Sequence, residues 1–141
     1  MSRIVVGIDG SEHALRAVAW AVDEARLRGA ELVIAYAIND RDLPAWPAPH
    51  VVPSHDELEA AGRELLDEAL VAVDTSGVEV TTDIASGSPA RRLCDLARDA
   101  DLLVVGARGL GGFRGLLMGS VSQQTVAHAP CPVVVVVPER A

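Results

Sequence analysis

The stretch Leu102-Leu-Val-Val-Gly106-Ala-Arg108-Gly109-Leu-Gly-Gly-Phe-Arg114-Gly-Leu-Leu-Met-Gly119-Ser120-Val121-Ser122 decides the fold class. Leu102 to Val105 reads as a short buried strand. It runs into a glycine-rich loop, and a helix follows from about Ser120 to His128. Strands buried on both faces and joined through helices are the signature of a parallel sheet. In open sheets of this kind, ligands gather outside the C-terminal strand ends.

The same alternation extends outward in both directions. Toward the C-terminus, Pro130-Cys131-Pro132 leads into the strand Val133 to Val137. Toward the N-terminus, Gly87-Ser88-Pro89 is a helix entry, with Ser at the N-cap and Pro at the first helical position; that helix carries Leu93, Leu96 and Ala97. Val78 to Ile84 alternates apolar and polar residues, which predicts a strand nearer a sheet edge. Ser54 and Glu57 spell a capping box, and Leu58, Ala61, Leu65, Ala69 and Val73 form the expected apolar stripe of the helix it opens. Residues 39–53 break the pattern with Pro44, Pro47, Pro49 and Pro53, at a length where functional lids occur. Leu32 to Ile38 is another buried strand. Before it, Ile4 to Ile8 ends in Asp9-Gly10-Ser11, Ser11 caps a helix bearing Leu15, Val18, Val22 and Ala25, and Gly29 stops that helix. The order is βαβαβαβαβ: one α/β domain over residues 1–141, an open parallel sheet with helices on both faces.

Composition narrows the function. Of 141 residues, 50% are apolar and only 3% aromatic, so the core is aliphatic and a base-stacking platform is excluded. Net charge is −8, against sequence-independent binding to nucleic acid or an anionic membrane. All 12 basic residues are arginine. Without lysine there is no Walker loop ending in Gly-Lys-Ser/Thr, no Schiff base and no Ser-Lys pair. Cys94 and Cys131 make no C-x-x-C and resemble neither a zinc site nor a disulfide framework. The opening residues carry no signal-peptide pattern and no apolar run is long enough to span a bilayer, so a cytoplasmic protein is expected.

The glycine loop points to an anion. Glycines let backbone N–H groups turn toward a ligand without a Cβ in the way, and Gly119-Ser120 places free amides and a hydroxyl at a helix start. Each hydrogen bond to a charged group contributes roughly 1.5–3 kcal/mol, enough to hold phosphate without lysine. Leu102 to Pro138 contains no carboxylate and only Arg108 and Arg114 as formal charges, a local +2 in a chain of −8. A loop packed on the rest of the protein, with glycines for turns and arginines for solvation, is the alternative use of the same residues. The dinucleotide pattern G-x-G-x-x-G fails, because from Gly109 its sixth place is Arg114.

What remains is Gly-x2-Gly-x9-Gly-Ser, met at Gly106, Gly109, Gly119 and Ser120. With the opening IVVGIDGSEHA, the GSP helix entry, DLLVVGARG, MGSVS and the closing APCPVVVV, the chain resembles the nucleotide-binding branch of the universal stress proteins along essentially its whole length. The resemblance implies a Rossmann-like fold akin to the adenine nucleotide α-hydrolases, five parallel strands in the order 3-2-1-4-5, with ATP at their C-terminal ends. It implies that Gly106, Gly109 and Gly119 line the phosphates, that Ser120 and Ser122 donate hydroxyls with the Val121 amide nearby, and that Asp9 sits beside the nucleoside or a bound Mg2+. It implies that the Ala37 backbone meets adenine and that Val105 flanks base or ribose. Arg108 occupies a variable position, and its phosphate role comes from its charge. It also implies a homodimer paired through Val133 to Val137, whose five valines on an open edge need a cover.

Among the remaining residues, Asp9 also suits a turn before Gly10. His13 suits surface exposure and His128 a helix C-terminus, while His50 and His55 lack ligand-like spacing. Asp56, Glu57 and Glu59 complement a helix dipole, Cys131 is structural, and Trp46 fills a surface groove or caps a ligand. The expected function is a nucleotide-dependent stress-response regulator. No general base is placed for phosphoryl transfer, so slow ATP hydrolysis is the most expected. The alternatives are a dimeric interaction module without nucleotide and, from the related hydrolase superfamily, an AMP-transferring enzyme.

Overall fold

The computed structural model describes residues 2–9, 11–38, 54–107 and 120–137. The elements in chain order are β1 (Arg3–Ile8), α1 (Glu12–Arg28), β2 (Glu31–Ile38), α2 (His55–Ala72), β3 (Val80–Ser86), α3 (Pro89–Leu96, continued by a 3-10 turn Ala97–Asp99), β4 (Leu102–Gly106), α4 (Ser120–His128) and β5 (Val133–Val136). The strands form one parallel sheet in the order β3-β2-β1-β4-β5. The fold class and strand order are as expected. No helix among the described residues is long and apolar enough to cross a membrane.

Strand alternation sorts the core into two layers. Ile4, Val6, Ile8, Leu32, Ile34, Leu102 and Val104 face α1 and α2, while Val5, Ala35, Leu103 and Val105 face α3 and the end of α4. Ile4, Val5 and Val6 in the central strand are fully buried, and each such side chain contributes about 1.5–3 kcal/mol of transfer free energy. The helix ends follow their local signals. Ser11, Ser54 and Ser88 accept hydrogen bonds from the N–H groups of Ala14, Glu57 and Arg91, and Gly29 closes α1 in the left-handed conformation at φ 64°.

Three expectations need correction. The apolar stripe on α2 differs at one place: Ala61 is exposed and Gly62 and Leu66 are buried instead, while Ala69 is buried and Val73 packs on the core as expected. Gly62 lies flat against the Tyr36 ring and the tip of Ile84, where even a Cβ would come within 2.6 Å. Next, β3 runs from Val80 to Ser86 rather than from Val78 to Ile84, because the Val78 N–H closes a turn on the Thr75 carbonyl and Gly87 N–H continues the ladder onto Ile38. Finally, β5 stops at Val136, and Val137 lies beyond it, 61% exposed. Arg92 in α3 holds Asp83 in β3 through two hydrogen bonds of 2.8 and 3.1 Å, fastening the helix over the sheet edge.

Candidate functional site

The strand order places a topological switch point between β1 and β4, where chain progression reverses across the sheet. The register opens a crevice there. Pairing between β1 and β4 runs from Ile4–Leu102 to Val6–Val104 and then stops. Beyond it, Gly7 and Ile8 stay paired with β2, and Val105 and Gly106 with β5. The two central strands therefore part over their last two residues.

Backbone direction decides which groups face this opening. The Leu103 and Ala107 N–H groups bond to Pro132 and Val136 on the β5 side. Successive residues of a strand present their polar groups to alternate sides, so those of Gly106 point toward β1. Likewise, Ile38 accepts from Gly87 on the β3 side, so the polar groups of Ala37 point toward β1. There the paired register ends one residue earlier, at Ile8 opposite Tyr36. The residue placed opposite adenine by resemblance thus offers its main chain at the rim of the opening.

Asp9 follows β1 directly. Its carboxylate accepts the Ser11 N–H at 2.9 Å, forming the turn that feeds α1. It also faces Tyr36: burial first and the Asp9 charge second raise the pKa of that phenol. The turn-forming use of Asp9 is therefore realised, and the turn fixes the carboxylate at the β1 end. No group of three or more His, Cys, Asp or Glu side chains among the described residues could hold a metal ion. A single carboxylate can hold Mg2+ where phosphate oxygens and waters complete its coordination, the usual mode for that ion.

Val105 lies beneath the crevice, 3% exposed and packed in the α3-facing core, with its polar groups turned to β5. Ser122 is buried as well, and its hydroxyl donates to the Gly106 carbonyl, tying the first turn of α4 to the end of β4. Val121 is half-buried and its carbonyl accepts the Thr125 hydroxyl at 2.7 Å. Thr125 is fully buried. Nothing in its sequence context marks it, because an i−4 hydroxyl bond inside a helix looks like any surface threonine. Arg108, Gly109, Gly119, the side chain of Ser120 and the loop 39–53 with Trp46 and His50 lie outside the described residues.

The helix starts at this end of the sheet differ in charge, and Glu12 opens α1. First-turn acids Asp56 and Glu57 oppose the positive end of α2, whereas α3 and α4 carry no acid in their first turns. A groove of about 130 Å³ opens between α1 and α2 beside Ile8, Ser11 and Leu15. It lies on the opposite face of the sheet from α3.

The universal stress protein family model matches residues 1–137. Universal stress protein Rv2623 of Mycobacterium tuberculosis is 36% identical over 141 residues, covering 94% of this chain and 46% of that protein. The chain spans about half the length of the curated mycobacterial relatives it matches. Two solved structures are similar over nearly the full length. A universal stress protein in complex with cAMP is 33% identical with a TM-score of 0.66, covering 96% of this chain and 95% of that one. One from Archaeoglobus fulgidus in complex with dAMP is 26% identical with a TM-score of 0.71, covering 96% and 98%. With a family match that runs from residue 1 to residue 137, this chain belongs to the universal stress protein family.

Proposed function

We propose that the domain over residues 1–141 binds ATP with Mg2+ in the split between β1 and β4 and acts as a nucleotide-dependent stress-response regulator. The observation that carries this reading is the early end of β1–β4 pairing, which leaves the N–H of Gly106, the first glycine of the Gly-x2-Gly-x9-Gly-Ser segment, facing an opening. In this reading Gly106, Gly109, Gly119 and the Val121 amide hold the phosphates, with Ser120 and Arg108 adding donors. Ala37 meets adenine through its backbone, and Asp9 lies beside the ribose or Mg2+. Val105 and Ser122 shape the wall from below. Mg2+, when bound, neutralises phosphate charge. The chain's own residues bind and orient, and none is placed as a base, so turnover is slow at most.

A second reading takes an adenosine monophosphate or cyclic nucleotide, favoured by the relatives solved with cAMP and dAMP. Mass spectrometry of ligand released from the purified protein, followed by calorimetric titration with ATP–Mg2+, AMP and cAMP, separates the two. ATP should co-purify or bind tightest. Replacing Gly109 by a bulky residue should abolish binding with the fold intact, and unchanged affinity would refute the site. Nucleotide-free protein that binds none of the three would favour the interaction-module alternative.

The reading includes a homodimer through the β5 edge. By the same alternation, Val134 and Val136 turn their polar groups to β4 and Val135 turns its own outward. Pairing of Val133 to Val137 across a two-fold axis would cover that edge.

A further inference from the structure

The nucleotide reading leaves the only two thiols of the chain unused. Cys94 and Cys131 stand 37 positions apart without a recognisable motif, yet the fold brings them to one patch. The Cys94 Sγ lies 4.0 Å from the Thr125 carbonyl oxygen in α4. The same carbonyl accepts the Ala129 N–H at 2.9 Å, and Cys131 follows two residues later. Cys131 in turn packs against the cluster that contains Leu93 of α3 and Ala97 of the 3-10 turn, on either side of Cys94 in the chain. Neither thiol forms a disulfide, and both residues are half-buried.

We propose that Cys94 and Cys131 form one oxidisable dithiol, which a hydroperoxide closes into an intramolecular disulfide joining α3 to the segment that enters β5. One thiolate attacks a peroxide oxygen, the O–O bond breaks, and an alcohol (water, for hydrogen peroxide) leaves behind a sulfenic acid. The second thiol attacks that sulfur, the S–S bond forms, the S–O bond breaks and water departs. Two thiols lose two electrons and two protons, and the peroxide takes up both. The bridge would enclose β4, the glycine segment and α4 in one covalent loop, closed near the start of β5.

Charge sets the pace. Burial and Asp95 raise the Cys94 pKa, and burial, Asp101 and Cys94 itself raise that of Cys131. Both groups are therefore protonated at neutral pH. The first step is slow at pH 7 and accelerates about tenfold per pH unit below the thiol pKa, so the pair responds to sustained oxidant rather than to a brief pulse.

The test treats the folded, reduced chain with hydrogen peroxide at pH 7 and pH 8.5, traps remaining thiols with N-ethylmaleimide in denaturant, and reads intact mass and tryptic peptides. The expected product is about 2 Da lighter, takes up no maleimide and links the tryptic peptides 93–98 and 115–140. Cys94→Ser and Cys131→Ser, confirmed folded by circular dichroism, should each lose that product and stop at a sulfenic or sulfinic acid. Independent overoxidation of both thiols in the wild-type chain, or disulfides between chains, would overturn the proposal. So would two intact thiols after a dose that oxidises the urea-unfolded chain.

Discussion

Gly62 carries the sharpest mechanical consequence of the packing. An alanine there places its Cβ 2.6 Å from both Tyr36 Cδ1 and Ile84 Cδ1, and 2.7 Å from Tyr36 Cε1. Alanine in a helix interior gains about 1 kcal/mol over glycine, while overpacking a filled contact costs about 1–3 kcal/mol. Ile84 Cδ1 is the free end of a flexible side chain and yields cheaply. The Tyr36 ring is stiff, half-buried and packed against the α1–α2 core, so the clash falls on it. Gly62→Ala should lose about 1 kcal/mol net, and Gly62→Val about 3 kcal/mol. Urea unfolding followed by circular dichroism measures both. The Tyr36→Val background supplies the control: with the ring gone, Gly62→Ala should become stabilising by about 1 kcal/mol, the bare propensity term. A Gly62→Ala variant already stabilised by that amount beside an intact Tyr36 would refute the close approach.

Ser122→Ala removes the hydroxyl from the Gly106 carbonyl and should cost about 1 kcal/mol in urea midpoint analysis, with weaker nucleotide binding as the end of β4 loosens. Ser54→Ala should cost about 1 kcal/mol by removing the cap on the Glu57 N–H of α2. Cys94, Cys131 and Tyr36 all bind their protons more tightly folded than unfolded. The unfolded chain therefore deprotonates first, and stability should hold to about pH 8.5 and fall above it. Urea midpoints from pH 7 to pH 10 check this, and the Cys94→Ser/Cys131→Ser double variant should flatten the early part of the decline. Val135→Pro removes an outward N–H without touching the ladder to β4, so it should give a folded monomer by analytical ultracentrifugation; a persistent dimer would place the interface elsewhere.

Local chemistry was legible directly. Ser11, Ser54 and Ser88 cap the helices that their spelling announces, Gly29 ends α1, and α4 spans Ser120 to His128. These signals act over a few residues and need no partner from the rest of the chain. The alternating apolar strands and helices fixed a parallel sheet for the same reason, since a strand buried on both faces must be apolar throughout. The Gly-x2-Gly-x9-Gly-Ser spacing identified the segment that follows β4.

Tertiary structure alone decided the rest, because each outcome depends on what a distant element brings into contact. The close approach of Tyr36 and Ile84 to Gly62 in α2 falls at a position with no side chain to mark it. Register between β1 and β4 determined where the sheet opens, and a periodic pattern of valines carries no register of its own. The hydroxyl of Ser122 went to the Gly106 carbonyl because α4 folds back onto β4. Two cysteines too far apart in sequence to suggest a pair came to the same side of the sheet only once α3 packed on α4. Composition and short-range order belong to the chain, whereas contacts across tens of residues exist only after the helices have closed over the sheet.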